Sequence, residues 1–237
     1  MAQKAIVSKI GLAKVPTNLG YDIAAALPNA LLGSDAALLY RAKIKAGDTV
    51  LVNGATGVSG KMAVQIAKYR GAARVIAMGR NAAILVELKN MGADETVSLK
   101  QNDDEIITAI KAIQQQTPID IVLDYLWGHP IELLLIALKS CAPRRIKIVT
   151  IGEMAGSHIS LASGSLRSTQ IELLGSGIGS ISKEEIGSYF KNELPIMFEL
   201  AAAGKIKIAI ETASLEHIET VWNKEVESGK RLVVIIQ

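Results

Sequence analysis

The run Thr49-Val-Leu-Val-Asn53 and the glycines that follow it at 54, 57 and 60 constrain this 237-residue chain more than any other part of it. The run reads as a buried strand, and it passes without a spacer into Gly54-Ala55-Thr56-Gly57-Val58-Ser59-Gly60. From Ser59 to Arg70 apolar residues recur at helical spacing, with Met62, Ala63, Ile66 and Ala67 on one face. Strand, glycine turn and helix in succession carry a chemical consequence. Glycine lets the backbone turn tightly and approach a ligand, while the first turn of the helix offers unpaired N–H groups and partial positive charge. A phosphate belongs at such a turn.

The alternation of short apolar runs with amphipathic stretches continues. Residues 74–78, 95–99, 119–124 and 146–151 read as strands; 82–91, 103–115 and a stretch from Pro130 to Ser140 read as helices, with Gly92 placed to end the first of them. Strands of Val, Ile and Leu separated by helices pair in parallel and are covered on both faces. The fold expected is α/β, a doubly wound parallel sheet of the Rossmann type with helices on both faces. The flanks are less regular. Residues 1–46 hold a short strand from Ala5 to Ser8, a turn at Pro16 and an Ala/Leu-rich helical stretch; beyond residue 168 come strands at 171–175 and 232–236 and helices near 183–203 and 215–227.

Composition narrows the function. Cys141 is the only cysteine, which excludes an internal disulfide and a cysteine-rich zinc site and points to a reducing, cytoplasmic setting. The net charge of +3 is scattered, so no nucleic-acid surface is expected. Mean hydropathy is high, +0.30, but the longest apolar stretch, Ile23 to Leu39, is interrupted by Pro28, Asn29, Gly33, Ser34 and Asp35, so no membrane partner is expected either. The first residues lack the long apolar run of an export signal.

The end of the second strand selects the nucleotide. A site for NAD places an acid there to accept from the ribose 2′-hydroxyl, whereas a 2′-phosphate calls for a cation. Here the strand ends Gly79-Arg80-Asn81 and no acid follows until Glu87, which favours NADPH. A triphosphate loop is disfavoured, since Ala55 and Met62 stand where glycine and a hydroxyl would be needed.

At this point the residues resemble a known family. Gly47 to Gly60, Ala63 to Ala67, Gly71-Ala72, Gly92-Ala-Asp94, Asp124 with Gly128, Ile151-Gly152, Leu166-Arg-Ser168, Leu173 to Gly177 and Gly229-Lys230 look like the cofactor domain of the medium-chain dehydrogenase/reductases, nearest their zinc-independent quinone oxidoreductase-like branch. The resemblance implies an NADPH-dependent transfer of hydride to a quinone or an activated alkene or carbonyl. Gly54 to Gly60 would hold the pyrophosphate, Arg80 and Asn81 beside Gly79 the 2′-phosphate, and Leu126 and Gly152 the ribose and nicotinamide. It also implies that residues 1–46 and 205–237 are remnants of a GroES-like catalytic domain around a nucleotide domain at 47–204, that a homodimer forms through residues 170–175 (Gln170 to Gly175), and that most of the substrate half is missing. The family's Thr-Ala pair is Gly33-Ser34 here, leaving the Ser34 hydroxyl as its substitute. No catalytic acid is assigned. Cys141, His129, His158 and His217 have no metal-ligand spacing. His129 reads as a helix-start residue, the acids Asp103 to Glu105 as helix-dipole partners, and the pair Arg144-Arg145 with Lys147 as a solvated turn. A short-chain reductase is excluded, because none of Tyr21, Tyr40, Tyr69, Tyr125 and Tyr189 has a lysine four positions later. A cofactor-binding module without turnover, acting as a sensor or dimer scaffold, stays open.

Overall fold

The structure is a computed structural model describing residues 4, 6–7, 11–139 and 144–236. Strands β1 (Thr49–Asn53), β2 (Arg74–Gly79), β3 (Glu95–Ser98), β4 (Ile121–Asp124), β5 (Ile146–Thr150) and β6 (Ile171–Gly175) form one sheet. Its order is β3-β2-β1-β4-β5-β6 and every pairing is parallel. The doubly wound Rossmann sheet read from the alternation of runs is therefore the fold of the chain.

The period of two along each strand decides what covers each face. Val50, Val52, Val75, Ala77, Ile121 and Leu123 join one core with helices α1 (Tyr21–Ala36), α2 (Val58–Tyr69) and α3 (Ala82–Asn90). Leu51, Ile76, Met78, Val122, Ile146 and Ile148 join the other with α4 (Asp103–Gln116) and α5 (Gly128–Lys139). Helix α4 opens on a reciprocal cap between Asn102 and Glu105. The connections leave β1 and β4 in opposite directions, and a crevice opens between their carboxyl ends.

Helix α1 is the Ala/Leu-rich helical stretch expected before residue 46. The residues that interrupt its apolar run do not interrupt the helix, which runs through Pro28 to Ala36 and continues as a π-helical turn, Ala37–Ala42. Its polar residues have partners inside the fold, which is why they are tolerated. Ser34 Oγ donates to the Ala30 carbonyl at 3.0 Å or to the Ser59 carbonyl at 3.1 Å, and Asp35 accepts two bonds from Arg70 at 2.9 and 2.7 Å. The resulting helix, Tyr21–Ala42, is long and apolar enough to cross a membrane by length and composition, yet more than half of its most apolar window is buried against α2 and the rest of the core.

A short helix, α6 (Gly164–Arg167), precedes β6, and after β6 the helix expected near 183–203 is one unbroken helical run, α7 (Lys183–Ser188) passing through a π turn at Tyr189–Glu193 into α8 (Leu194–Ala202). Tyr189 is buried at that turn, and its hydroxyl donates to Asp35 at 3.2 Å. The helix expected near 215–227 is only a 3-10 turn, Leu215–His217, and one α turn, α9 (Ile218–Val221). The polar run after Trp222 gives it no apolar face to bury. The strand at Ala5 to Ser8 is not seen: Ile6 and Val7 are exposed and in no element, and Ala5 and Ser8 lie outside the described residues. Two further strands, β7 (Ala209–Ser214) and β8 (Lys230–Ile235), pair in parallel as a separate sheet.

Candidate functional site

The glycine turn fills the crevice between β1 and β4. Gly54 has φ +93°, and its N–H, like that of Ala55, donates to the Met78 carbonyl, at 3.0 and 2.8 Å. A Cβ on Gly60 would lie 2.3 Å from the Gly54 carbonyl oxygen and 2.6 Å from the Ala55 Cα, so only glycine lets α2 start this close to the turn. Gly79 plays the same part at the end of β2, where a Cβ would lie 2.4 Å from the Thr56 side chain.

The opposite wall is built by a buried carboxylate. Asp124 ends β4 beside Asn53, whose amide donates to it at 2.8 Å. Its oxygens also accept from the backbone N–H of Leu126 at 3.1 Å and of Trp127 at 3.2 Å. Burial raises the carboxyl above its ordinary value, and these three donors pull it back. The outcome is a fixed turn in which Trp127 adopts φ +53°, a conformation non-glycine residues rarely take, and Leu126 lies against Gly54.

Between these walls lies a cavity of about 530 Å³. Gly54, Thr56, Gly57, Val58, Ser59, Gly60, Gly79, Arg80, Leu126 and Gly152 line it. Ala55 is fully buried behind the turn, and Asn81 uses its side-chain oxygen to accept from the Ile84 N–H at 3.2 Å, capping α3. Five lining residues were not foreseen from sequence: Leu99, Tyr125, Met154, Ser228 and Arg231. The charged residues in this lining are Arg80 and Arg231, and no carboxylate is among them. Lys61 is turned away, held by Glu87 at 2.9 and 3.0 Å.

Two further cavities prolong the groove. One of about 240 Å³ shares Ser59 and Tyr125 with the first and reaches Asn29 and Gly33 of α1. The other, about 490 Å³, shares Gly152 and is walled by Trp127. Ser176 lines both, buried, with an Oγ that has no hydrogen-bond partner among the described residues. The hydroxyls of Tyr125 and Ser34 are 2.8 Å apart, and burial raises the Tyr125 phenol well above its ordinary range.

The remaining candidates lie elsewhere. His129 is exposed and pairs with Asp103; Arg144 pairs with Asp120 and Arg145 with Glu172; His158 bonds to Ser157; Cys141 lies outside the described residues. Among the described residues no group of three His, Cys, Asp or Glu could hold a metal ion.

A Rossmann sheet with a glycine turn at its switch point and an arginine-lined cleft defines a dinucleotide-binding domain. The chain belongs to the zinc-binding dehydrogenase family, whose model matches residues 59–199, and quinone oxidoreductase-like proteins are among the relatives it resembles. A probable NADPH-dependent quinone reductase of Emericella nidulans is 28% identical over 197 residues, covering 80% of this chain and 54% of that protein. The chain thus spans about half the length of the curated relatives it matches. Among solved structures, AibC superposes with a TM-score of 0.79 at 25% identity, over 97% of this chain and 61% of that one. Escherichia coli quinone oxidoreductase complexed with NADPH gives 0.72 at 23% identity, over 93% and 68%.

Proposed function

We propose that the chain binds NADPH along this groove and serves an NADPH-dependent oxidoreductase whose acceptor is a quinone or an activated alkene or carbonyl. The observation that carries the reading is the lining of the main cavity: a glycine turn at a helix N-terminus, two arginines and no acid. When bound, the nucleotide supplies the hydride.

The chain's own residues bind, orient and desolvate. The N–H groups at the start of α2 meet the pyrophosphate, and Gly60 allows the close approach. Arg80 meets the 2′-phosphate; Leu99, Leu126 and Met154 supply apolar surface along the groove. The reacting end lies toward Tyr125 and Gly152, where the unpaired Ser176 hydroxyl is a donor for an oxygen of the cofactor amide or of the acceptor. The same reading includes a homodimer through β6, which pairs with β5 along one edge and lacks a strand along the other among the described residues.

Calorimetric titration with NADPH and NADH, followed in the same sample by NADPH oxidation with a simple quinone, tests the reading. NADPH binding in preference to NADH, with turnover, is the expected result. Binding without turnover would make the chain a cofactor module, and no binding would overturn the assignment.

A further inference from the structure

The cavity of about 490 Å³ opens at the carboxyl ends of β5 and β6, where Thr150 and Gly175 line it, and Gly152 is the residue it shares with the nucleotide groove. Three unlike groups meet in its lining. Glu153 brings a charge; it is exposed and in no ion pair among the described residues. Trp127 brings a half-buried indole. Ser176 brings a hydroxyl: the residue is 4% exposed, its N–H donates to the Thr150 carbonyl at 2.8 Å, and its Oγ has no hydrogen-bond partner among the described residues. A buried hydroxyl left in that state is costly, and a ligand oxygen or nitrogen removes the cost.

These walls are fixed without a ligand. The Ala155 N–H donates to the Leu126 carbonyl at 2.7 Å and the Gly152 N–H to the Asp124 carbonyl at 3.2 Å. A Cβ on Gly128 would lie 2.7 Å from the Ala155 carbonyl oxygen, and one on Gly152 2.8 Å from the Tyr125 carbonyl oxygen. The loop that carries Glu153 and the turn that carries Trp127 are thus packed backbone to backbone. Trp127 keeps its φ of +53° with its N–H on Asp124 at 3.2 Å, and residues in such conformations persist where their surroundings over-determine them. Both fixed groups favour positive charge, the carboxylate by Coulomb attraction and the indole face by its ring quadrupole. A neutral quinone would leave Glu153 without a counter-charge.

We propose that this cavity binds a small organic cation: the acceptor carries a protonated amine, held by Glu153 and Trp127, and a carbonyl oxygen that accepts from the Ser176 hydroxyl. The inference rests on the NADPH reading above and narrows its acceptor to an amine-bearing carbonyl or unsaturated carbonyl compound. An indole face admits substituted as well as primary ammonium groups, since its attraction for a cation needs no N–H donor.

The test is calorimetry with 4-(aminomethyl)acetophenone, its neutral 4-(hydroxymethyl) counterpart and benzylamine, on the wild-type protein, E153Q, W127L and S176A, each with and without NADPH. NADPH alone is titrated first. Wild-type protein is expected to bind the aminomethyl ketone about tenfold more tightly than the hydroxymethyl ketone. E153Q and W127L are each expected to remove much of that preference, and S176A to weaken the aminomethyl ketone while leaving benzylamine unchanged. Thermal unfolding without ligand establishes that the variants are folded; W127F, which keeps a smaller aromatic face and part of the preference, replaces W127L should that variant fail to fold. No binding of the aminomethyl ketone, equal affinity for the charged and neutral ketones, or a preference that survives both E153Q and W127L overturns the proposal. The expected preference in a protein that does not bind NADPH upholds the cation site and overturns instead the reading on which its role as acceptor site rests.

Discussion

Arg80 stands at the end of β2, where an acid would serve a free ribose hydroxyl, and it lines the cleft unpaired among the described residues. Removing one charge-assisted bond costs about 1.5–3 kcal/mol, so R80A is expected to weaken NADPH by roughly 10- to 100-fold and to leave NADH near its wild-type affinity. Titration of the variant with both nucleotides checks this, and equal losses would refute the 2′-phosphate role. Asn81 illustrates the limit of reading such a position from sequence. It was expected to share the phosphate; its side-chain oxygen caps α3, a use that asparagine at the start of any helix invites and that occupies the oxygen but not the amide N–H donors a phosphate would meet. Ser34, offered as a substitute for a hydroxyl contact near the cofactor, is instead bonded within the protein, to Tyr125 and to backbone carbonyls of α1 and α2.

Elements are joined by two charge clusters with opposite exposure. Arg70, the C-cap of α2, bonds Asp35 of α1 twice and Glu193 at 2.7 Å; Asp35 is fully buried. Burial works against the Arg70 charge, and the bonds to Asp35 outweigh it, holding the guanidinium protonated more firmly than usual. R70A would strand the Asp35 carboxylate and is expected to cost about 3–5 kcal/mol in urea unfolding, much of it recovered by adding D35N. The exposed cluster concerns pH. His129 at the start of α5 faces Asp103 of α4 at 3.0 Å and Glu132 at 3.5 Å; the bond to Asp103 raises its pKa above 6.5. A raised folded value means that the imidazolium stabilises the fold fully below about pH 6.5, a contribution lost as pH climbs through the folded value. Unfolding of H129Q against pH is therefore expected to lack a decline that the wild-type protein shows just above that pH. The sheet and its helices were legible because β1, β2 and β4 are short apolar runs set between amphipathic stretches. β7 was not, since Glu211 and Thr212 break its apolar pattern and its partner β8 lies beyond an irregular connection. Missing β7 also hid how Ser228 and Arg231 reach the cleft.

At the scale of the whole molecule, β6 leaves one row of backbone donors and acceptors without a strand among the described residues, with Leu173 and Leu174 only half-buried. The backbone groups of Gln170 and Ser176 face β5, so those of Leu173 face the free edge. Proline at Leu173 removes a donor from that row, and L173P is expected to yield monomers in sedimentation equilibrium where the wild-type protein gives dimers. An unchanged dimer would move the interface elsewhere. The main cavity has its own dependence on the whole chain, for its walls come from residues 54–60 and from residues 228–231. A ribosome makes the first wall early and the second only after the entire Rossmann sheet has emerged. Nucleotide in the cell would then find a complete binding site only on chains synthesised past residue 231, and its stabilisation would discriminate finished from interrupted translation products.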